Sequence, residues 1–530
     1  MNFRLVFRYL GLLLAVLSGI LAAIWLWSAG WRMFGNPSSP LVIAEQHAGW
    51  SFLICSLVGF LVSGSLWLWT RRSPPQFGRR EALLLVGLSW ILGAALAALP
   101  FLFWSFFSGR GASGHPFGSF IDCYFESMSG LTTTGSTVLS NIEDLPRSIL
   151  LWRAMTQWLG GLGIVVLFVA VLPTLGVGGK KLFRVEAPGP DPEGVRPQIR
   201  ETARVLWIIY LGLTLAEILA LRIIGGMNWF DSVCHTFTTL STGGFSTLNA
   251  SIGGYNTAVQ IIVIVFMIAA GVNFALYFAL LRRRVTGVYK DSELRFYLFL
   301  IFFSTFIIVI TLMAAGNPIV LTRVTETGAY EEVPATFGNS LLHGMFGALT
   351  AQTTTGYCTA DFNQWPFLAK AVMLTLMFAG GCAGSTGGGI KVIRVWVAIR
   401  VLISELERVF RPQVVRPLKI GSAALDSDMK LATITYVFGI VALFAVGSVL
   451  IMTLEQWLNP AAGIDYTTAA TASIATLCNI GPGLGGVGAV ENYGWLCAES
   501  KIIMCLLMAL GRLEVFAIIV FFSPRFWRGD

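Results

Sequence analysis

The sequence predicts an all-α polytopic membrane protein assembled from four tandem copies of one unit. Of its 530 residues, 55% are hydrophobic and only 12% are charged, whereas about a quarter of the residues of a soluble protein this size are charged. The mean hydropathy is +0.73. A glycine-containing turn recurs four times between apolar segments, with 109, 112 and 125 residues between successive turn glycines. The composition therefore predicts a membrane protein, and the recurrence of the turn predicts four copies of one unit around a common axis.

Ten apolar stretches are long enough to cross the hydrocarbon core of a bilayer, which takes roughly 20 residues. The first stretch follows Arg4 and Arg8 and could be taken for a signal peptide. Its apolar run is long for that purpose and a second stretch follows closely, so we favour a retained membrane helix. The ten stretches cover about residues 8–29, 49–70, 82–104, 150–172, 203–224, 258–280, 294–316, 368–390, 432–454 and 500–522.

The distribution of Lys and Arg predicts the orientation, because these residues are enriched in cytoplasmic loops. With ten crossings and a cytoplasmic N-terminus, 27 of the 36 Lys and Arg residues fall on the inner side. Both termini are then cytoplasmic, and the net charge of +8 reflects topology. No nucleic-acid partner is predicted, because the basic residues do not gather on one folded domain. The polar connections near 180–204 and 317–336 are predicted to be loops.

Each copy places a short apolar stretch and the turn between two longer apolar helices. The short stretches, at about 117–131, 229–241, 337–353 and 464–478, cannot cross the bilayer and predict re-entrant helices. Non-helical backbone at this depth must be shielded by protein or must line a wet cavity. A ring of four turns meets that requirement, and its carbonyl oxygens can replace the water shell of a potassium-sized cation.

The four turns all end on glycine, which can adopt positive φ at little cost and so present successive carbonyls to one axis. The turns are Thr132–Gly135, Ser241–Gly244, Thr353–Gly356 and Cys478–Gly481. The fourth turn keeps the glycine but has lost the threonines, so the ring is chemically unequal. The candidate filter residues are Thr133, Thr134, Gly135, Thr242, Gly243, Gly244, Thr354, Thr355, Gly356, Asn479, Ile480 and Gly481.

Ionisable residues recur at fixed distances before the turn glycines. Asp122, Asp231 and His343 each precede their glycine by 13 residues, and Glu126 and His235 precede theirs by nine. They could form a mouth that concentrates cations, or they could cap and anchor the short helices. We favour the anchoring interpretation.

Glycines also follow each turn, in the second long helix of each copy, where small residues let helices approach closely. The third copy goes further, with six glycines among residues 380–389. At roughly 1 kcal/mol per glycine relative to alanine, no continuous helix survives that density. We predict a flexible loop beneath the turns, ending before Lys391 and Arg394 mark the cytoplasmic surface. The candidate gate residues in this loop are Gly384, Ser385, Thr386, Gly387, Gly388 and Gly389.

Two polar residues interrupt the apolar second helices. Arg512 falls near the middle of the last apolar stretch, and a buried arginine in a membrane marks a functional pathway by default. Its partner is predicted to be Glu514, Glu217 or a carbonyl of the glycine-rich loop. Asn273 either lines the cavity or makes an interhelical hydrogen bond.

No enzymatic site is predicted. The stretch Gly481–Gly486 matches G-x-G-x-x-G, but an apolar helix precedes it where a dinucleotide site requires a strand. The eight cysteines form no CxxC pair and no Cys/His cluster with metal spacing. Neither a paired acid and base nor a nucleophile with a base is evident.

Several longer motifs resemble those of one family of transport proteins. They are SGLTTTGST (129–137), GGFST (243–247), GGCAGSTGGGIKVIR (380–394), CNIGPGLG (478–485) and GRLEVF (511–516). On these motifs the sequence resembles the TrkH-type potassium-uptake subunits of the Trk/Ktr/HKT superfamily, over nearly the whole chain.

The resemblance implies four M1–P–M2 pore units preceded by two extra helices. It implies K⁺ selectivity from Gly135, Gly244, Gly356 and Gly481, an intramembrane gate at 380–389 and a gating arginine at Arg512. It also implies a homodimer that associates with a cytoplasmic ring of TrkA-like RCK domains. Those domains bind the nucleotide, so this chain itself binds no cofactor and K⁺ is its transported ion.

Together these observations predict a gated, K⁺-selective pore for potassium uptake across the bacterial inner membrane. A symporter that couples K⁺ to H⁺ or Na⁺ is the first alternative, and a membrane enzyme is the second. The predicted division is an N-terminal helix pair at 1–80 followed by pore units at 81–180, 181–290, 291–425 and 426–530.

Overall fold

The structure is a computed structural model that describes residues 1–33, 40–71, 78–170, 199–283, 285–325, 328–412, 419–420, 423–424 and 427–528. Most of the predicted loop 180–204, with its proline-rich segment Pro188–Pro192, lies outside the described residues. The predicted unit boundaries at 180/181 and 425/426 also lie outside them.

Two long helices precede the repeated units and pack against each other and against the helix that follows. They are α1 (Phe3–Met33) and α2 (Pro40–Thr70), and the next helix is α3 (Arg79–Phe107). The 31 residues of α1 make a helix of about 46 Å at 1.5 Å per residue, which exceeds the roughly 30 Å of a bilayer core. The Leu12 and Leu61 side chains remain 63% and 70% exposed, as expected for faces that contact lipid.

The four units that follow each contain a long helix, a short helix, the turn and a second helix. The short helices have 12, 12, 16 and 12 residues, or about 18–24 Å, and cannot span the bilayer. The units comprise α3, α4 (Phe120–Leu131) and α5 (Arg147–Ala170); α6 (Ile199–Leu219), α7 (Trp229–Leu240), α8 (Thr257–Ala270) and α9 (Phe274–Leu281); α11 (Ser292–Ala315), α12 (Phe337–Gln352) and α13 (Phe367–Phe378); and α15 (Ser427–Leu458), α16 (Tyr466–Leu477) and α17 (Ala498–Arg512).

Shorter elements connect and extend the units. The remaining α-helices are α10 (Val285–Tyr289), α14 (Val392–Phe410), α18 (Phe516–Ile519) and α19 (Pro524–Trp527). A π turn at Ala220–Ile224 extends α6, and 3-10 turns lie at Arg110–Ser113, Pro116–Gly118, Ser251–Gly254, Phe362–Gln364, Pro460–Ala462, Gly485–Val487 and Val520–Phe522.

Six helices in the described part of the chain are long and apolar enough to span a membrane, and a bent pair, α8 with α9, adds a seventh span if counted as one. The prediction of a continuous span over 258–280 was wrong, because α8 and α9 meet at an angle of 92°. At this break the glycine-rich loop satisfies the freed backbone groups: Gly271 O accepts from Cys382 N at 2.9 Å and Phe274 N donates to Gly384 O at 3.1 Å.

The prediction of one span over 500–522 was also wrong. Helix α17 ends at Arg512, and Glu514 and Val515 adopt left-handed conformations with φ of 58° and 47°. The predicted stretch 368–390 is likewise not one continuous helix: α13 has 12 residues and ends at Phe378, next to the segment where the glycine density predicted a break.

The segment 317–336 contains a β-hairpin and is not the plain loop predicted from its polar residues. Strands β1 (Ile319–Val324) and β2 (Tyr330–Val333) pair antiparallel, with Ile319 opposite Val333. Ile319 and Leu321 are 1% and 4% exposed, so one face of the hairpin is buried although the segment contains many polar residues. A second short pair joins β3 (Lys419–Ile420) to β4 (Ala423–Ala424).

The largest core cluster lies where α1, α2 and α3 meet the first and fourth units. Trp152 is fully buried there, and its Nε1 donates to Ala97 O at 2.9 Å. This cluster and the Trp152 hydrogen bond hold α5 against α3.

Candidate functional site

The four turns form one closed ring. Each turn glycine has positive φ: 87° at Gly135, 78° at Gly244, 82° at Gly356 and 103° at Gly481. A Cβ atom added to any of them would lie closer than 3.0 Å to the carbonyl oxygen that precedes the glycine of the next turn. The neighbouring pairs run in cyclic order: Gly135 with Gly243 O, Gly244 with Thr355 O, Gly356 with Ile480 O, and Gly481 with Thr134 O.

One hydrogen bond recurs in all four turns and fixes their shape. The residue before each glycine donates its backbone N–H to the carbonyl oxygen five residues earlier, in the last turn of the short helix. The four bonds are Thr134 N to Ser129 O at 2.8 Å, Gly243 N to Thr238 O at 2.8 Å, Thr355 N to Thr350 O at 3.0 Å and Ile480 N to Ala475 O at 2.8 Å. Each short helix thus ends in the same left-handed closure.

Sequence reasoning missed a second constraint in the turns. The residue two positions before each glycine is also left-handed, although none of the four is glycine: Thr133, Thr242, Thr354 and Asn479 have φ of 52°, 54°, 56° and 56°. Such conformations cost roughly 1–3 kcal/mol and persist only where the surroundings enforce them. Asparagine tolerates them better than threonine does, which accounts for Asn479 in the turn that has lost its threonines.

Side chains from neighbouring units hold the ring closed, and they differ from one junction to the next. Gln157 on α5 donates from Nε2 to Gly243 O at 2.7 Å and accepts from Phe245 N at 3.1 Å. Asn479 Nδ2 donates to Thr134 Oγ1 at 3.0 Å, so the fourth turn is tied to the first. Gln157 was not predicted, because a single amide in an apolar stretch gives no signal of its own.

Polar residues of the short helices anchor the chain that leaves the ring. In the second unit, Asp231 accepts from Thr247 Oγ1 at 2.8 Å, and His235 bonds Ser246 Oγ at 3.0 Å. His343 similarly bonds Thr359 Oγ1 at 3.0 Å in the third unit. These contacts favour anchoring over a cation-concentrating mouth.

The first unit uses ion pairs for the same purpose. Glu126 accepts from Val138 N at 3.0 Å and from Arg153 Nε at 2.8 Å, and both side chains are at most 1% exposed. Asp122 instead pairs with Lys501 Nζ on α17 at 2.5 Å, which joins the first unit to the fourth. Arg153 was not predicted, since nothing in the sequence places it beside Glu126.

The buried Glu126–Arg153 pair yields a stability prediction. Replacing Glu126 by Gln leaves an uncompensated buried arginine, and breaking such a pair costs about 3–5 kcal/mol. We expect a clear fall in the melting temperature of the purified protein, measured by thermal denaturation. Glu405→Gln is the matched control, because its partner Arg408 is 60% exposed and exposed pairs contribute little. Equal melting temperatures for the two variants would contradict the anchoring role.

Glycines of the second helices permit the close approach that their spacing predicted. A Cβ atom at Gly160 on α5 would collide with Leu131 O, the last residue of α4. Gly511 on α17 stands in the same relation to Leu477 O, at the end of α16. In both units the second helix therefore contacts the end of the short helix directly below the ring.

The glycine-rich segment forms a buried loop directly beneath the ring. It begins after Phe378, and Gly380 N donates to Ile390 O at 2.9 Å, which closes its base. Thr386 Oγ1 donates to Leu240 O at 2.9 Å, and Gly388 N donates to Thr354 Oγ1 at 2.7 Å. The loop thus contacts the end of α7 and the third turn, and a Cβ atom added to Gly388 would lie 2.5 Å from Cys478 O of the fourth turn.

The prediction that Lys391 and Arg394 mark the cytoplasmic surface was wrong, since both are only 5% exposed. Lys391 Nζ donates to Gly387 O at 2.5 Å, and Arg394 pairs with Glu514 at 2.9 Å. Glu293 on α11, which was not predicted, accepts from Ala383 N at 2.7 Å. Its place near the start of an apolar helix made it look like an ordinary end-of-helix charge.

Arg512 links this loop to the first unit. It is 2% exposed, and its guanidinium donates to Thr386 O at 2.8 Å and to Gly160 O at 3.2 Å. Of the three predicted partners, the loop carbonyl is therefore the one it contacts, while Glu514 pairs with Arg394. Asn273 Oδ1 caps α9 by accepting from Ala275 N at 2.9 Å, and it lies 2.9 Å from the position of a Cβ atom added to Gly384 of the loop.

A closed ring of re-entrant turns within a bundle of membrane-spanning helices defines a polytopic membrane protein of the pore-loop class. Its four units are M1–P–M2 units in a pseudo-fourfold arrangement, preceded by two further helices. The chain belongs to the TrkH family, described as cation transport proteins, whose sequence profile matches residues 51–528.

Named relatives and a solved structure are similar over most or all of the chain. The chain is 36% identical over 531 residues to the Trk system potassium uptake protein TrkH of Salmonella typhimurium, with 100% of both chains covered. It is 33% identical to TrkG of Escherichia coli K12, covering 92% of this chain and 94% of TrkG. The crystal structure of the potassium transporter TrkH from Vibrio parahaemolyticus matches with a TM-score of 0.81 and 32% identity, covering 100% of both chains.

Proposed function

We propose that this chain takes up potassium across the bacterial inner membrane through a gated, K⁺-selective pore. The observation that supports this most is the closed ring of four turns, whose carbonyl oxygens border one another in cyclic order. Rings of backbone carbonyls replace the hydration shell of K⁺ at a selectivity filter. The printed names of the relatives point to the same ion, since they are called potassium uptake proteins.

The filter in this proposal consists of the turn residues predicted from the sequence. K⁺ is coordinated by backbone carbonyls from all four copies, among them those of Thr134, Gly243, Thr355 and Ile480. The short helices direct their C-terminal ends, which carry partial negative charge, toward the ring. K⁺ is the transported ion, and the chain needs no cofactor of its own.

The gate in this proposal is the loop 384–389 with Arg512. The loop lies across the inner side of the ring, and Arg512 fixes it through Thr386 O. A buried positive charge at this depth opposes cation passage. Potassium therefore passes when the loop and the arginine move aside together.

Regulation is assigned to a partner. We infer a homodimer that associates with a TrkA-like cytoplasmic ring of RCK domains, with nucleotide binding confined to that ring. The names of the relatives contain the term Trk system, which is consistent with an assembly of several components. Both termini are placed in the cytoplasm, where most Lys and Arg residues then lie.

Uptake of ⁸⁶Rb⁺ into vesicles that contain the purified protein tests the proposal. At roughly 2.3 kcal/mol per charge, a potential of 100 mV alone supports about 50-fold accumulation. We expect uptake driven by an inside-negative potential, with competition by K⁺ and little competition by Na⁺. Equal competition by the two ions would contradict a K⁺-selective ring.

The alternative is a symporter that couples K⁺ to H⁺ or Na⁺. Symporters of that kind commonly contain inverted repeats and discontinuous helices near the bilayer midplane. The sharp break between α8 and α9 is a discontinuity of this kind and supports the symporter. The four turns that close one ring support the pore. Varying the H⁺ and Na⁺ gradients at constant potential separates them, because uptake through a pore would not change.

A further inference from the structure

The glycine-rich loop contacts the side chain of one filter turn, and that contact is unique among the equivalent positions described. Gly388 N donates to Thr354 Oγ1 at 2.7 Å, and Thr354 is fully buried. Thr354 is the left-handed residue of the third turn, with φ of 56°. The Thr354 hydroxyl is therefore part of the filter turn and also accepts a hydrogen bond from the loop.

The equivalent side chains of the other three turns make different contacts. Thr242 Oγ1 donates to Ser241 O of its own turn at 2.6 Å. Thr133 Oγ1 and Asn479 Oδ1 have no hydrogen-bond partner among the described residues, although both side chains are buried. The loop backbone thus bonds the side chain of the third turn and leaves the others free of such a bond.

The bond places a backbone donor against a side-chain oxygen of the third filter turn. A backbone N–H carries a partial positive charge, so an oxygen that accepts it at 2.7 Å offers a cation less negative potential. A cation at that oxygen repels the same N–H group. Occupation of the inner end of the filter and closure of the loop therefore oppose one another, and such coupling is reciprocal.

We propose that Thr354 is a positioning residue that couples the filter to the gate, its hydroxyl being shared between K⁺ and the Gly388 N–H. This inference rests on the proposed function, because it takes the ring as the filter and the loop as the gate. Loop closure then weakens K⁺ binding at the inner end of the filter, and K⁺ entering from the filter favours release of the loop. The coupling acts through the third turn because, among the four equivalent side chains, Thr354 is the one that accepts a hydrogen bond from the loop backbone.

Matched variants separate this role from simple loss of a filter hydroxyl. Thr354→Val and Thr242→Val each remove one hydroxyl and keep a β-branched side chain at a left-handed position, but only the first removes a bond to the loop. A typical hydrogen bond contributes about 0.5–1.5 kcal/mol, or about two- to tenfold in an equilibrium. We expect Thr354→Val to raise maximal ⁸⁶Rb⁺ uptake without the regulatory partner about two- to tenfold, whereas Thr242→Val shows only the effect of losing a filter hydroxyl. Thr354→Ser keeps the hydroxyl and is expected to restore the wild-type rate.

A measurement that needs no transport tests the coupling directly. Hydrogen–deuterium exchange of the full-length protein is followed in peptides that cover residues 380–391, in K⁺ and in choline. We expect K⁺ to accelerate exchange in the wild type and in Thr242→Val, and to have little effect in Thr354→Val. Equal responses to K⁺ in all variants would overturn the inference, whatever their uptake. Absence of uptake by the wild type, with the K⁺ effect on exchange intact, would instead count against the proposed function.

Discussion

Serine in place of Gly135 is expected to relax ion selectivity, so that Na⁺ competes with ⁸⁶Rb⁺ about tenfold more strongly. Gly135 has φ of 87°, and a Cβ atom there would lie closer than 3.0 Å to Gly243 O. A left-handed conformation costs a residue with a side chain roughly 1–2 kcal/mol, and about 1.4 kcal/mol corresponds to a factor of ten. The backbone must shift to relieve the collision, and the oxygen that shifts belongs to the ring.

Gly463→Ser is the matched control for this experiment. Gly463 is also left-handed, with φ of 61°, but nothing lies within 4 Å of a Cβ atom placed there. The Gly463→Ser variant therefore has the same backbone strain as Gly135→Ser but does not contact the ring. We expect its ion selectivity to match that of the wild type. Unchanged competition in Gly135→Ser would show that the first turn does not contribute to selectivity.

Deletion of residues 384–389 is expected to leave a leaky pore, with ⁸⁶Rb⁺ flux that no longer depends on the regulatory partner. The deletion removes Thr386, whose hydroxyl and carbonyl hold the loop to Leu240 and to Arg512, and Gly388, which bonds Thr354. Nothing then lies across the inner side of the ring at this position. Unregulated flux is expected to rise about tenfold or more, since several hydrogen bonds of about 0.5–1.5 kcal/mol each hold the loop closed.

Arg512→Gln provides a milder form of the same test and keeps the loop intact. It removes the cation and weakens the links to Thr386 O and Gly160 O, which span 2.8 and 3.2 Å. Arg525→Gln makes the same chemical change at an exposed position and is expected to behave as the wild type. If both the deletion and Arg512→Gln kept fully regulated flux in correctly folded protein, the loop would not be the gate.

Much of the architecture could be predicted because its signals are local. The turn glycines carry a backbone requirement that only glycine meets cheaply, and all four have positive φ in the structure. The end of α13 at Phe378 follows from glycine density alone. Recurrence along the chain then predicted the number of units.

The features that could not be predicted depend on partners far away in the sequence. Lys391 and Arg394 resembled cytoplasmic residues, yet inside the protein Lys391 donates a hydrogen bond to Gly387 O and Arg394 forms an ion pair with Glu514. At the bend between α8 and α9, the loop more than 100 residues later supplies two hydrogen-bond partners, Cys382 N and Gly384 O. The left-handed Thr133 carries no sequence signal, because threonine rarely adopts that conformation.

The central claim is that four turns hold one dehydrated monovalent cation on a common axis. Crystals grown in Rb⁺ and measured at the rubidium absorption edge test it most directly, because the anomalous signal locates the ion itself. We predict a peak inside the ring, bordered by the carbonyl oxygens of Thr134, Gly243, Thr355 and Ile480, which weakens when Na⁺ replaces Rb⁺. A ring without an anomalous peak, or rubidium bound only elsewhere on the protein, would contradict the account.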